Sequence, residues 1–201
     1  MSNQFGRAEF LSRGARGGVA VIAAGGAFGA LAGAAGADTL PDADLAYLRM
    51  LITTELLGAD FYTNAVAAQP YKGAAAKELQ VALANEGEHY TALSTFVANT
   101  GQIPTTADDI DFSYPKGAFA TTGAVTKLAV TLETLFLGAY LGAIAGVQTG
   151  SLAGPLARMA ANQAQHLTVF SQLLGRSGFK AGMPAPLTID AVTQALDPYT
   201  A

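Results

Sequence analysis

Four stretches of the chain carry apolar residues at the three- and four-residue spacing of an amphipathic helix. The first runs from about Asp42 to about Ala68, with Leu48, Leu51, Ile52, Ala59, Tyr62 and Val66 on one stripe. Pro41 precedes it, Asp42 is the predicted N-cap, and Gln69-Pro70 ends it. The second runs from about Ala74 to about Asn99 and carries Leu79, Leu83, Tyr90, Leu93, Phe96 and Val97. So short a link between the two predicts an antiparallel hairpin. The third runs from about Gly123 to about Val147, with Leu128, Ala129, Leu132, Phe136, Leu137 and Tyr140 inward. A turn from Thr149 to Pro155 leads to the fourth, with Pro155 in its first turn and Leu156, Met159, Phe170 and Leu174 on one face up to Gly175.

Between the second and third helices, Gly101 to Thr122 has no helical period. Pro104, Asp108-Asp109-Asp111 and Tyr114-Pro115-Lys116-Gly117 read as an extended connection, long enough to cross from one end of a bundle to the other. The tail, residues 179–201, holds Pro184, Pro186 and Pro198, and Thr188-Ile189-Asp190-Ala191 opens one short helix predicted to pack back on the bundle. No stretch alternates with the period of a strand. The pattern predicts an all-α fold: an antiparallel four-helix bundle over residues 38–178, one long crossover between the second and third helices, and a C-terminal tail. The two hairpins look related.

Each stripe is broken near its middle by polar residues. They are Glu55 on the first helix, Glu86 and His89 on the second, Glu133 on the third, and Gln163 and His166 on the fourth. Buried carboxylates are expensive, and several at one level repel one another unless a cation neutralises them. Carboxylates mixed with imidazoles suit iron, manganese or zinc better than calcium or magnesium, which prefer oxygen shells. The competing reading is a hydrogen-bonded polar network. Tyr62, Tyr90 and Tyr140 recur near these positions and read as core aromatics whose hydroxyls a carboxylate satisfies. Glu88, Asp60 and the Asp108-Asp109-Asp111 patch fall off the stripes and read as solvated.

Composition narrows the choice. Only 13% of the 201 residues are charged, against 51% apolar, so helix surface must be buried in a core or against other subunits. Gly138, Gly142, Ala143 and Gly146 offer a small-residue face on which two copies could meet, so homo-oligomerisation is a further expectation. The net charge is −4 with no basic run, which gives nucleic-acid binding no support. The chain has no cysteine, which excludes iron–sulfur clusters, thiolate zinc sites, covalent haem and disulfides.

Residues 1–37 read as an export signal. Arg7, Arg13 and Arg16 precede an uncharged run from Gly17 to Ala37 that closes on Ala35-Gly36-Ala37, a small-residue cleavage pattern. The run is also long enough to span a bilayer, and an uncleaved anchor is the alternative. Cleavage leaves no stable membrane anchor and a protein in the periplasm or outside the cell. Gly6-Arg7-Ala8-Glu9-Phe10-Leu11 resembles a twin-arginine signal with Ala8 where the second arginine would stand.

Several segments together carry a family resemblance: Glu55-Leu56-Leu57-Gly58-Ala59-Asp60-Phe61-Tyr62, Glu86-Gly87-Glu88-His89, the run from Leu132 to Ala143, and Asn162-Gln163-Ala164-Gln165-His166. Over roughly residues 42–175 the chain resembles the ferritin-like superfamily, and within it the bacterial exported, desiccation-related type. The resemblance implies a di-metal carboxylate bundle binding iron or manganese, with redox activity on iron, peroxide or oxygen. Glu55, Glu86, His89, Glu133 and His166 would be the ligands, with Gln163 beside them. Gln163 departs from the pattern, standing where a second bridging glutamate is expected. A neutral amide bridges poorly, so the site is expected to hold one ion, two, or none. Gly58 departs too, where relatives carry another acid, and reads as a lost outer charge. The rival function is a non-enzymatic envelope or stress-protection bundle whose metal site has decayed.

Overall fold

The computed structural model describes residues 39–177 and 183–200. The export-type segment with Asp38, residues 178–182 and residue 201 lie outside the described residues. The described chain forms α1 (Asp42–Ala68), α2 (Gly73–Ala98), α3 (Thr122–Gly146), α4 (Gly150–Leu173) and a short α5 (Ile189–Leu196). Single 3-10 turns lie at Ala107–Asp109 and Asp197–Tyr199. Among the described residues there is no strand, only an isolated antiparallel bridge between Phe112 and Thr200. The stripes thus produce the all-α bundle they predict, because each can bury its apolar face only against the others.

Contacts at the helix ends fix the topology. Tyr71, just past α1, hydrogen-bonds Thr126 near the start of α3, and Thr122 Oγ1 donates to the Pro70 carbonyl at 2.8 Å. At the opposite end, Arg49 donates to Gln102, just past α2, at 2.9 Å. The crossover therefore carries the chain the full length of the bundle, and α3 runs antiparallel to α1. It is anchored on the way. Tyr90 donates to the Thr105 carbonyl, and Tyr114 packs edge-on against Phe119 while donating to Asp60 at 2.9 Å. Asp60 is thus half-buried and tied to the crossover rather than simply solvated. Asp109 closes a capping box with Thr106, which gives part of the exposed acidic patch a structural role.

Two helix starts differ from the sequence reading. Pro41, not Asp42, takes the N-cap position of α1, its carbonyl accepting from Leu45 N at 3.1 Å. Asp42 and Asp44 then fall in the first turn, where the helix dipole favours negative charge. Helix α4 begins at Gly150, so Pro155 lies inside it. The extension pays because Leu152 joins Leu156 and Met159 on the buried face one turn earlier.

Asp44 locks the two hairpins together at one end. Its carboxylate is buried and accepts from Gln148 N at 2.7 Å and Thr149 N at 2.9 Å, in the turn between α3 and α4. Burial would raise its pKa, but these N–H donors outweigh it and hold the carboxyl below its usual range. Asp44→Ala removes the acceptor for both N–H groups and should cost about 2 kcal/mol in urea unfolding. The wild-type contribution is present above the unfolded-state pKa and disappears in acid, as pH falls through the lowered folded value.

The glycine stripe of α3 is filled by the chain itself. A Cβ on Gly138 would lie 2.7 Å from the Leu187 side chain, one on Gly142 1.8 Å from the Leu187 carbonyl oxygen, and one on Gly146 2.2 Å from the Tyr47 hydroxyl. Leu187 N also donates to the Gly138 carbonyl at 2.9 Å. The face expected to receive another copy thus receives Tyr47 and the segment before α5. Val192 and Leu196 of α5 then complete the core. Helix α3 is long and apolar enough to cross a membrane, with a mean hydropathy of 1.7. In the bundle that apolar surface is covered by α1, α4 and α5.

Candidate metal centre

The four main helices have 27, 26, 25 and 24 residues, and each carries its polar interruption near its midpoint. Antiparallel packing of near-equal helices stacks those midpoints at one level. Glu55, Glu86, Glu133 and Gln163 are all fully buried there, and His89 and His166 keep 8% and 6% of their surface. All six residues singled out in the sequence therefore meet in one place.

They form two triads. The ligand atoms of Glu55, Glu86 and His89 lie within 4.8 Å of one another, and so do those of Glu86, Glu133 and His166. Glu86 belongs to both. His89 Nδ1 is 3.2 Å from Glu55 Oε2, while His166 Nδ1 is 3.2 Å from both Glu86 Oε1 and Glu133 Oε1. Gln163 Nε2 donates to Glu55 Oε1 at 3.2 Å and to Glu86 Oε2 at 3.1 Å.

The tyrosines cross over. Two turns after its own helix's glutamate, Tyr62 donates to Glu133, and Tyr140 donates to Glu55 at 2.6 Å. Burial first, and then the adjacent carboxylates, push both phenols well above their usual pKa, so they stay neutral donors. Tyr90 does not join them, since its hydroxyl faces the crossover rather than a carboxylate.

Residues outside the expected set complete the site. Asn85 Nδ2 is 3.0 Å from His166 Nε2, and its amide can serve either ring tautomer by presenting nitrogen or oxygen. Asn162 occupies the matching place before Gln163, so both helices read Asn, then Glu or Gln, then His three residues on. That repeat was the available signal. Gly58 is not an outer position: a Cβ there would lie 3.2 Å from the Glu86 carboxyl carbon and 3.1 Å from Phe136. Its missing side chain makes the room that Glu86 occupies.

The electrostatics are compatible with a cation site. Burial, and for Glu86 the neighbouring Glu55, push Glu55 up to about 7 and Glu86 up to about 8. Burial also raises Glu133 and lowers His89. Burial alone would lower His166, but Glu133 and Glu86 outweigh it and carry it to about 10. Without metal, Glu55, Glu86 and His166 therefore bind more protons folded than unfolded across neutral pH. Their contribution to stability is full below the unfolded values and is lost as pH rises through the folded ones. The metal-free protein should lose more than about 2 kcal/mol of unfolding free energy between about pH 5 and about pH 9, read by urea titration.

Four buried atoms of this cluster have no hydrogen-bond partner: Glu86 Oε1, Glu133 Oε2, Gln163 Oε1 and His166 Nδ1. A buried polar atom without a partner costs about 1–3 kcal/mol, and a metal ion answers lone pairs that converge. Carboxylates with imidazoles are a donor set for a transition-metal ion, so the residues present fit such an ion. No match was found among curated proteins. A family model described as a ferritin-like domain matches residues 43–176, which takes in all four long helices and every residue of the cluster. The fold, the buried glutamate–histidine cluster and this match agree: the chain belongs to the ferritin-like domain family.

Proposed function

We propose that this chain is an exported metal-binding protein whose carboxylate–histidine centre holds iron or manganese. The observation that carries the proposal is the set of buried, unpartnered ligand atoms between two triads that share Glu86. When bound, the metal supplies redox chemistry toward iron, peroxide or oxygen. The chain's own residues do the rest. Glu55, Glu86 and Glu133 supply negative charge, and Tyr62 and Tyr140 fix the orientations of Glu133 and Glu55. The side chains of His89 and His166 are the ones in the cluster that reach solvent, which supports a way in for a small reactant beside them.

The test is the metal content of protein purified without chelator or histidine tag, together with its melting temperature before and after chelation. At least one iron or manganese per chain, with a melting temperature that falls on chelation, is the expected result.

A second reading rests on Gln163. Its amide donates to Glu55 and Glu86, as a member of a metal-free polar network would. No bound metal, and melting indifferent to chelator, would favour that stress-protection bundle. For export, the support is the Ala35-Gly36-Ala37 pattern a few residues before α1. Mass spectrometry of the secreted or periplasmic protein should find Asp38 at its N-terminus.

A further inference from the structure

We infer that the two halves of the centre are not equivalent: a single ion seats on Glu86, Glu133 and His166, and the Gln163 amide closes the other half. The inference rests on the metal-binding reading above and adds number and place to it.

The half containing Glu55 is already committed. Glu55 Oε1 accepts from Tyr140 at 2.6 Å and from Gln163 Nε2 at 3.2 Å, while Oε2 accepts from His89 Nδ1 at 3.2 Å. The same Gln163 nitrogen donates to Glu86 Oε2 at 3.1 Å. Two N–H dipoles thus point their positive ends into the space between Glu55 and Glu86. A cation there would have to displace them and break the His89–Glu55 hydrogen bond.

The other half is open. Glu86 Oε1, Glu133 Oε2 and His166 Nδ1 are buried and have no hydrogen-bond partner. His166 Nδ1 lies 3.2 Å from an oxygen of each glutamate, so the three ligand atoms converge on one point, where a cation would take the place of the imidazole proton. Charge agrees with geometry. Glu86 and Glu133 balance one divalent ion, and Glu55, held by three donors, needs no metal to stay buried. Three protein ligands leave coordination positions free for water or substrate. Asn85, whose Nδ2 lies 3.0 Å from His166 Nε2, can turn its amide oxygen there and accept a hydrogen bond from the Nε2–H that remains when Nδ1 ligates.

The experiment titrates manganese, as Mn(II), into the metal-free full chain and counts ions per chain by calorimetry and elemental analysis. One ion is expected in the wild type and two in Gln163→Glu, whose carboxylate restores the missing bridge. His166→Gln should weaken binding by about a hundredfold or more. A second measurement needs no variant. The chain has two histidines, so with zinc as a diamagnetic probe the imidazole 15N spectrum should shift at Nδ1 of His166 and keep the His89 ring neutral and unligated. Two ions in the wild type, or a shift at His89 instead, overturns the inference and leaves the metal-binding reading standing. No bound ion of either kind overturns both.

Discussion

Glu86→Gln should abolish metal binding and, in the same molecule, raise the melting temperature of the metal-free protein. Glu86 is the one residue common to both triads, so its loss removes a ligand from every arrangement the site can adopt. Glutamine is nearly isosteric, and its amide oxygen can still accept from Gln163 Nε2 where Glu86 Oε2 now does. What it removes is a fully buried carboxyl whose ionisation burial, and then the neighbouring Glu55, push up to about 8. Without metal, ionising that group at alkaline pH works against folding, and glutamine cannot ionise. The gain at about pH 8.5 should be about 1–2 kcal/mol, and the stabilisation by added manganese should vanish. Differential scanning calorimetry with and without metal reads both. A variant that loses metal-free stability and keeps its response to metal would show that Glu86 is a structural partner rather than a ligand.

Gly142→Ala should destabilise the protein by about 3 kcal/mol, although alanine is the better helix former. The methyl group would lie 1.8 Å from the Leu187 carbonyl oxygen, a main-chain contact that no rotamer change relieves. Segment and helix must separate, which breaks the hydrogen bond from Leu187 N to Gly138 and uncovers Val192 and Leu196 of α5. For a chain of this size the melting temperature should fall by about 6–12 °C. Gly87→Ala in α2 is the control. Nothing lies within 4 Å of a Cβ there, so only the helix-propensity gain remains, and it should stabilise slightly. If both variants melt alike, the C-terminal segment does not rest on α3 in solution.

Much of this was legible in the sequence, for a physical reason. A polar residue in the middle of an apolar stripe is costly, so Glu55, Glu86, His89, Glu133, Gln163 and His166 stood out wherever helical periodicity placed them, and antiparallel packing brought them together. The missed features depend on what sits opposite in space. Gly58 reads as an absent side chain, and only the position of Glu86 shows that the absence is room. The stripe of Gly138, Gly142 and Gly146 signals close approach but not the occupants, which are Leu187 from beyond α4 and Tyr47 from α1. Tyr90 shares the spacing of Tyr62 and Tyr140, yet it is half-buried at the edge of the stripe, where the crossover supplies a nearer acceptor.

The seat of Leu187 on α3 also sets an order of events during synthesis. Helix α3 has the length and hydropathy of a bilayer-crossing segment, and part of what covers it is made only after α4. Until Leu187 has been made, the face of Gly138 and Gly142 stays open, with no side chain to block a lipid or another nascent chain. A message truncated before Leu187 therefore yields a product that still has its glutamate–histidine cluster but carries an uncovered apolar flank, a natural handle for chaperones and proteases that clear incomplete chains.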